Sequence, residues 1–391
     1  MNYILFDGPF RNALLPFTYT RPVGDIRVGI LTIREKWEAF LGSTTTSITE
    51  DYLVSKFPMV ELEENTLINA SYTPNDALVE MIQNLKPKQV IYDGDTVVAF
   101  RAKEAQKDID FSTFEALNCP ESVLAIKNTW SIFQLNGAAI ESDFQLITKN
   151  RTSQPIPKQV VAFNTTQIFI EEGVTLPHCV LNATNGPIYI GKNAEIMEGS
   201  MVRGPFALCA NSVLKMGAKI YGPTTIGPYS KVGGEVNNSV LFGYSNKAHD
   251  GFLGNSVIGE WCNLGADTNT SNLKNNYAEV RLWNYDTENF AKTGLQFCGL
   301  MMGDHSKCGI NTMFNTGTVV GVSANVFGSG FPRNFIPSFS WGGHSGLSTY
   351  LTSKAFEVAQ VVMQRRGEVF TDHDAAILTE VFEQTKRFRS T

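Results

Sequence analysis

The sequence predicts an α/β domain followed by a β-solenoid and a short helical tail, and three observations predict it. Short apolar runs alternate with helix-period stretches up to about residue 150; a six-residue aliphatic rhythm fills most of the chain to about residue 330; a 3.6-residue rhythm returns near the end. The expected parts are residues 1–155, 156–347 and 348–391.

In the first part, YILF at 3–6, TLINA at 66–70, QVIYDG at 89–94 and TVVAF at 96–100 read as strands. Asn75 opens NDALVEMIQNLK, where Leu78, Met81, Ile82 and Leu85 recur on one helix face. Strands alternating with helices predict a mostly parallel sheet. DGD at 93–95 reads as a tight turn between two strands, with magnesium binding as the lesser alternative. SQPIPK at 153–158, with Pro155 and Pro157, marks the boundary.

From there Ile190, Ile196, Val202, Leu208, Leu214, Ile220, Ile226 and Val232 stand six positions apart. The period precedes them at Ile168, Val174 and Val180, and returns at Phe252, Ile258 and Leu264 and again from Met302 through Cys308, Phe314 and Val320 to Val326. Each hexapeptide is a short strand and a corner, and three make one triangular coil that stacks its apolar residues into interior columns. Breaks at 233–251 and 271–297 are expected to leave loops on the outer surface. In the tail, Ala355, Val358, Ala359, Val362 and Met363 form one stripe and Ile377, Leu378, Val381 and Phe382 another, the second helix capped by Asp372 or Asp374. These helices are expected to cover the solenoid end or a neighbouring chain.

Of the 391 residues 43% are hydrophobic and 18% charged, which excludes a disordered chain. Lys and Arg number 32 against 38 Asp and Glu, and the whole deficit lies within residues 1–155, with 14 basic and 20 acidic. No basic stripe exists for a nucleic-acid backbone or an anionic membrane. With no signal-like start and no long apolar run, a cytoplasmic location is expected. The six cysteines show no C-x-x-C spacing and read as reduced structural thiols. The five histidines do not pair at ligand spacing, which argues against a zinc enzyme. His178, His305, His344 and His373 read as structural. His249 differs, because it falls in a break of the repeat beside Lys247 and Asp250.

KAHDGFLG at 247–254, EWCNLGADT at 260–268 and SN at 271–272 resemble, in order and spacing, the K-A-G-H-L-T-Y-L-G, D-N-V-N-I-G-A-G-T and C-N motifs of bifunctional sugar-1-phosphate nucleotidylyltransferase/acetyltransferases, the N-acetylglucosamine-1-phosphate uridylyltransferase/glucosamine-1-phosphate acetyltransferase family. The resemblance implies a left-handed parallel β-helix assembled as a homotrimer, with acetyl-CoA as acyl donor. His249 takes the place of the family's general base, and Lys247, Phe252, Asn263 and Asn272 the places of substrate-binding residues. Phe252 lacks the hydroxyl of the family's tyrosine, and Asn237 stands where a phosphate-binding lysine is common. Lys274, Arg281 and Lys292 are cations available for the phosphates of coenzyme A.

The first part resembles the pyrophosphorylase half of the same family, a nucleotide-diphospho-sugar transferase-like fold, more distantly. Residues 5–22, LFDGPFRNALLPFTYTRP, place Gly8, Pro16, Thr18 and Pro22 near the positions of L-A-x-G-x-G-T-R, P-L-T and P-K-P. The run RPVGDIRVGILTIREKWE resembles divergent domains of this kind. Gly8, Arg11, Arg21, Arg27 and Lys36 are the implied nucleotide-binding residues, with magnesium as metal. The metal ligands are not identified, because TLINA places Asn69 where an aspartate is expected. The implied activity is acetyl transfer to an amino-sugar 1-phosphate and nucleotidyl transfer to the product, giving a UDP-GlcNAc-type nucleotide sugar. One active half with a binding-only partner half, or a non-catalytic trimeric scaffold, are the alternatives.

Overall fold

The computed structural model describes residues 2–103 and 109–389. The first part is built on a six-stranded sheet: β1 (Asn2–Phe6), β2 (Thr45–Ile48), β3 (Asn65–Asn69), β4 (Gln89–Asp93), β5 (Thr96–Ala102) and β6 (Glu115–Asn118), in the order β2-β1-β3-β5-β4-β6. All four expected strands are present. The sheet is mixed rather than mostly parallel, because β5 runs antiparallel to both β3 and β4. The Asp93-Gly94 turn, with Gly94 at φ +58, folds β5 straight back on β4. Helix α1 (Ile33–Leu41) starts at Thr32, whose side chain and that of Glu35 cap each other's backbone. Helix α2 (Asp76–Gln83) starts at Asn75, whose side chain accepts from Leu78 N at 2.9 Å, and it buries Leu78 and Ile82. Helices α3 (Thr129–Gln134) and α4 (Asn136–Thr148) complete this part.

The second part is a prism of stacked parallel strands, the arrangement of a left-handed β-helix. Its first face runs from Ile168–Ile170 to Phe335–Ile336, its second from Glu195–Ile196 to Gly346–Thr349, and its third from Val161–Phe163 to Phe252–Gly254. The eight aliphatic residues from Ile190 to Val232 are all 2% exposed or less. Each such burial contributes roughly 1.5–3 kcal/mol, and none is available to a single coil. The first coil departs from the rhythm: Ile170 pairs with Ile190 and Leu181 with Val202, so the spacing is longer than 18. Leu176 and Leu181 therefore point inward, while Val174 and Val180 are half-buried. Phe252 is likewise displaced from the interior by its neighbour Leu253.

The two breaks have different physical meanings. At 233–251 no loop is extruded: Ile226 pairs with Leu241 and Leu241 with Ile258, so these coils simply lose residues at their corners. At 271–297 the chain does leave the prism, as an antiparallel hairpin of Arg281–Asn284 and Asn289–Lys292. Val280, Leu282 and Tyr285 of this insertion are buried in the same core as Tyr19 and Phe17 of the first part.

That shared core explains how the two parts sit. The first part lies against the first face, whose outward residues Ala207, Thr225, Phe242, Val257 and Met301 are nearly inaccessible. Phe17 meets Phe242 with ring centroids 5.1 Å apart, and Thr225 Oγ1 donates to Gly29 O at 3.0 Å. Helices α5 (Thr352–Gln364) and α6 (Asp372–Gln384) do not cover the prism end. They pack in the angle between the prism and the first part, burying Ala355, Ile377, Leu378 and Val381 in the shared core. The cap of α6 is Thr371, with Asp374 in the reciprocal role. The last strands of the second face close as the hairpin Ser340–Gly343 and Gly346–Thr349.

Candidate functional site

His249 stands at a corner between the second-face strand Asn246–Lys247 and the third-face strand Phe252–Gly254, and its side chain is exposed. The corner is fixed from both sides. Asp267 N donates to Asp250 O at 3.1 Å and Glu235 N to Gly251 O at 3.3 Å. Gly251, at φ +120, lies where a Cβ would come within 2.2 Å of Thr268 O, so no other residue fits.

Lys247, expected to bind substrate, faces the interior of the prism. It pairs in register with Val232 and lies beside Leu264 in the interior column, 2% exposed. Its ammonium donates to Gly233 O at 2.9 Å and to His249 O at 2.8 Å. Burial pushes its pKa down to about 8, with Asp250 opposing the shift. The strand register decides this: the 15-residue spacing from Val232 puts Lys247 where an aliphatic residue belongs.

Phe252 and Asn272 come together three residues beyond the corner. The Phe252 ring covers Gly254, and Asn272 Nδ2 donates to Asn255 Oδ1 at 2.8 Å. Asn263 lies on the second face, where its side chain accepts from Asn246 Nδ2 at 2.9 Å. Lys274 donates to Glu279 O at 2.8 Å, and Lys292 lies 3.6 Å from the Glu279 carboxylate. Arg281, opposite Lys292 on the inserted hairpin, is exposed.

In the first part a cavity of about 840 Å³ opens beyond the carboxyl ends of the parallel strands β1 and β2. That is where α/β sheets ordinarily bind ligands. Gly8 and Arg11 line it together with Thr49, Glu50, Asp95 and the rings of Phe100 and Phe111. Gly8 is required by packing, since a Cβ there would lie 2.4 Å from Asn69 Nδ2. Arg11 is mostly committed, donating to Asp7, to Thr18 O and to Tyr52.

Arg21, Arg27 and Lys36 do not reach this cavity, contrary to the expectation. Arg21 is buried in an ion pair with Asp304 of the prism and lies 3.4 Å from Glu260. Burial alone would lower its pKa, but Asp304 and then Glu260 hold it above the usual arginine value. Arg27 donates to Phe242 O at 3.0 Å and to Ile30 O. Lys36 is buried against Asp143. These cations tie elements together, and local sequence could not reveal partners more than a hundred residues away.

The carboxylates of Asp7, Glu50 and Asp95 line this cavity, and one or two of them with substrate phosphates would be the residues to hold a magnesium ion. Among the described residues no three His, Cys, Asp or Glu converge as a metal site. Asp7 at the cavity is held by Val23 N, Thr49 and Arg11. Asn69 ends β3 as expected, but its amide is used structurally, donating to Val97 O and accepting from Ser71 N. Sequence reasoning missed Asp7, Thr49 and Glu50; only the position of Asp7 and Thr49 just after two parallel strands could have signalled them.

Residues 3–152 match the family model described as sugar nucleotidyl transferase. A bifunctional sugar-1-phosphate nucleotidylyltransferase/acetyltransferase of Sulfurisphaera tokodaii is 29% identical over 144 residues, covering 36% of this chain and 35% of that protein. The bifunctional protein GlmU of Synechococcus elongatus is 24% identical over 229 residues, covering 53% and 46%. The matched stretches thus span between a third and a half of these relatives. A UDP-N-acetylglucosamine acyltransferase, LpxA from Bacteroides fragilis, aligns over 59% of this chain and 98% of its own at 13% identity, with a TM-score of 0.28.

Proposed function

We propose that the chain is an enzyme of nucleotide-sugar synthesis whose prism transfers acetyl from acetyl-CoA to the amine of an amino-sugar 1-phosphate, with His249 as general base. The observation that carries this reading is an exposed imidazole held on a rigid corner, within the segment whose motifs match in order and spacing. The amine nitrogen attacks the thioester carbonyl and gives its proton to the neutral imidazole. Collapse of the tetrahedral intermediate breaks the C–S bond, and the imidazolium returns the proton to the departing thiolate. Phe252 and Asn272, beside that corner, are the residues to position the sugar.

The assembly belongs to the same proposal. The first face is covered by the chain's own first part, while the third face presents Val161, Phe163, Met201 and Tyr221 to solvent, between 44% and 53% exposed. These apolar side chains, interspersed on the same face with Asn182, Arg203 and Lys219, are the surface offered for a homotrimer contact, and His249 stands on a corner of that face. Replacing His249 by Ala is expected to lower acetyl transfer about a hundredfold or more with folding unchanged. Unaltered acetyl-CoA consumption would overturn the base assignment.

For the first part, nucleotidyl transfer from an NTP to the sugar 1-phosphate is the activity implied by its family match. The burial of Arg21, Arg27 and Lys36 favours a second reading, in which the β1–β2 cavity binds a sugar nucleotide without turning it over. Pyrophosphate release by the full chain, assayed across NTPs and sugar 1-phosphates, separates the two. The binding-only reading expects none with any pair.

A further inference from the structure

A second cavity, of about 460 Å³, lies between the second face of the prism and the end of α5. Its floor is four consecutive outward rungs, Lys231, Asn246, Asn263 and Lys307, which pair in register across successive coils. At the usual strand spacing of about 4.8 Å the two lysines stand roughly 14 Å apart, with the asparagine pair between them. Arg365 and Arg366 form the opposite wall; among the described residues no aspartate or glutamate lines the cavity, and Glu368 accepts from the hydroxyl of its wall residue Tyr244 at 3.1 Å.

These cations are not consumed by structure as Arg21 and Lys36 are. Among the described residues none of the four has a carboxylate partner within ion-pair distance; Lys307 donates to His305 O at 2.9 Å and Arg366 to Tyr229 O at 2.9 Å. Burial lowers the pKa of Lys307, and burial followed by Arg365 lowers that of Arg366, so the charges are uncompensated.

The adjoining corner is unusual in the same place. From Asn193 on, each coil turns it with one left-handed residue, Asn193 and Asn211 first, then Tyr229, Tyr244, Trp261 and His305, then Ser323 and Phe339, with φ from +53 to +62. Asparagine tolerates that conformation, whereas bulky residues there cost roughly 1 kcal/mol or more. The rings recover part of it by stacking, with centroids 4.9, 4.2 and 6.3 Å apart. Tyr244 and Trp261 of this ladder wall the cavity.

We propose that this cavity is a binding site for a phosphate ester, its phosphates lying over Asn246 and Asn263 between Lys231, Lys307, Arg365 and Arg366. Coenzyme A, a nucleotide sugar and a sugar 1-phosphate all offer that chemistry. The inference goes beyond the acetyl-transfer reading, since binding here requires no turnover and no role for His249.

The test is calorimetric titration of the full chain with inorganic pyrophosphate, followed by competition with coenzyme A, a UDP-sugar and a sugar 1-phosphate. Lys231 and Arg365 are exposed, so Lys231→Glu and Arg365→Glu, made singly, should leave the fold intact by circular dichroism. Saturable pyrophosphate binding that weakens about tenfold or more in each variant is expected. The source is the competitor whose own affinity falls in parallel. Absence of saturable binding overturns the proposal, and so does binding that both variants retain. Loss of acetyl transfer in His249→Ala with pyrophosphate binding intact would leave this site standing and bear only on the catalytic reading.

Discussion

At the scale of single residues, Lys247 shows how an interior side chain can brace an exposed corner. Its stem fills an interior column between Val232 and Leu264, and its ammonium ties the carbonyls of two corners, one of them that of His249. A folded-state pKa of about 8, below the ordinary lysine value of 10.5, means that the unfolded chain holds the proton more tightly between those limits. Stability from this group therefore rises as pH climbs from about 8 to 10.5 and carries its full penalty, on the order of 3 kcal/mol, below 8. Lys247→Met should remove that slope: measured by urea unfolding at pH 7 and pH 9.5, the variant should gain most over the wild type at the lower pH. An equal difference at both values would show that the ammonium is not strained by its burial. Its interior place was illegible in the sequence, because the rhythm breaks after Val232 and the count cannot be carried across a shortened coil.

At the scale of elements, the six-residue period was legible wherever coils keep 18 residues, since one inward aliphatic residue per strand is all that stacking requires. Met302, Cys308, Phe314, Val320 and Val326 are buried as their spacing predicts. The period misleads at the ends and at insertions. A coil that gains or loses residues at a corner keeps its strand pairing but shifts which residue points inward, as at Leu181 and Leu253. The tail helices were legible as amphipathic stripes and in length, but not in their packing place, because an apolar stripe states that something covers it and not what does. The cap moved by one residue, to Thr371, because its hydroxyl reaches Asp374 N while Asp374 answers it.

At the scale of the molecule, the junction between the two parts is a continuous core stitched by buried polar contacts. Asp304 accepts from Thr20 at 2.7 Å, from Glu260 N at 2.8 Å and from Arg21. Asp304→Ala leaves the Arg21 guanidinium with the part-exposed Glu260 as its remaining carboxylate, and urea unfolding should show a loss of up to about 3–5 kcal/mol. Adding Arg21→Met should recover part of the loss, since the under-compensated charge goes with it. A single-variant cost under about 1 kcal/mol would mean that the junction rests on apolar contact alone. What the sequence determined by itself is the repeating part: strand, corner, inward column, the Asn75 cap and the Asp93-Gly94 turn, all set by neighbours within a few residues. Only the tertiary structure decided which charges face solvent, because Arg21, Arg27 and Lys36 find partners 107 to 283 residues away. A cation's choice between a phosphate and a buried carboxylate depends on what the fold brings beside it, and no local pattern encodes that.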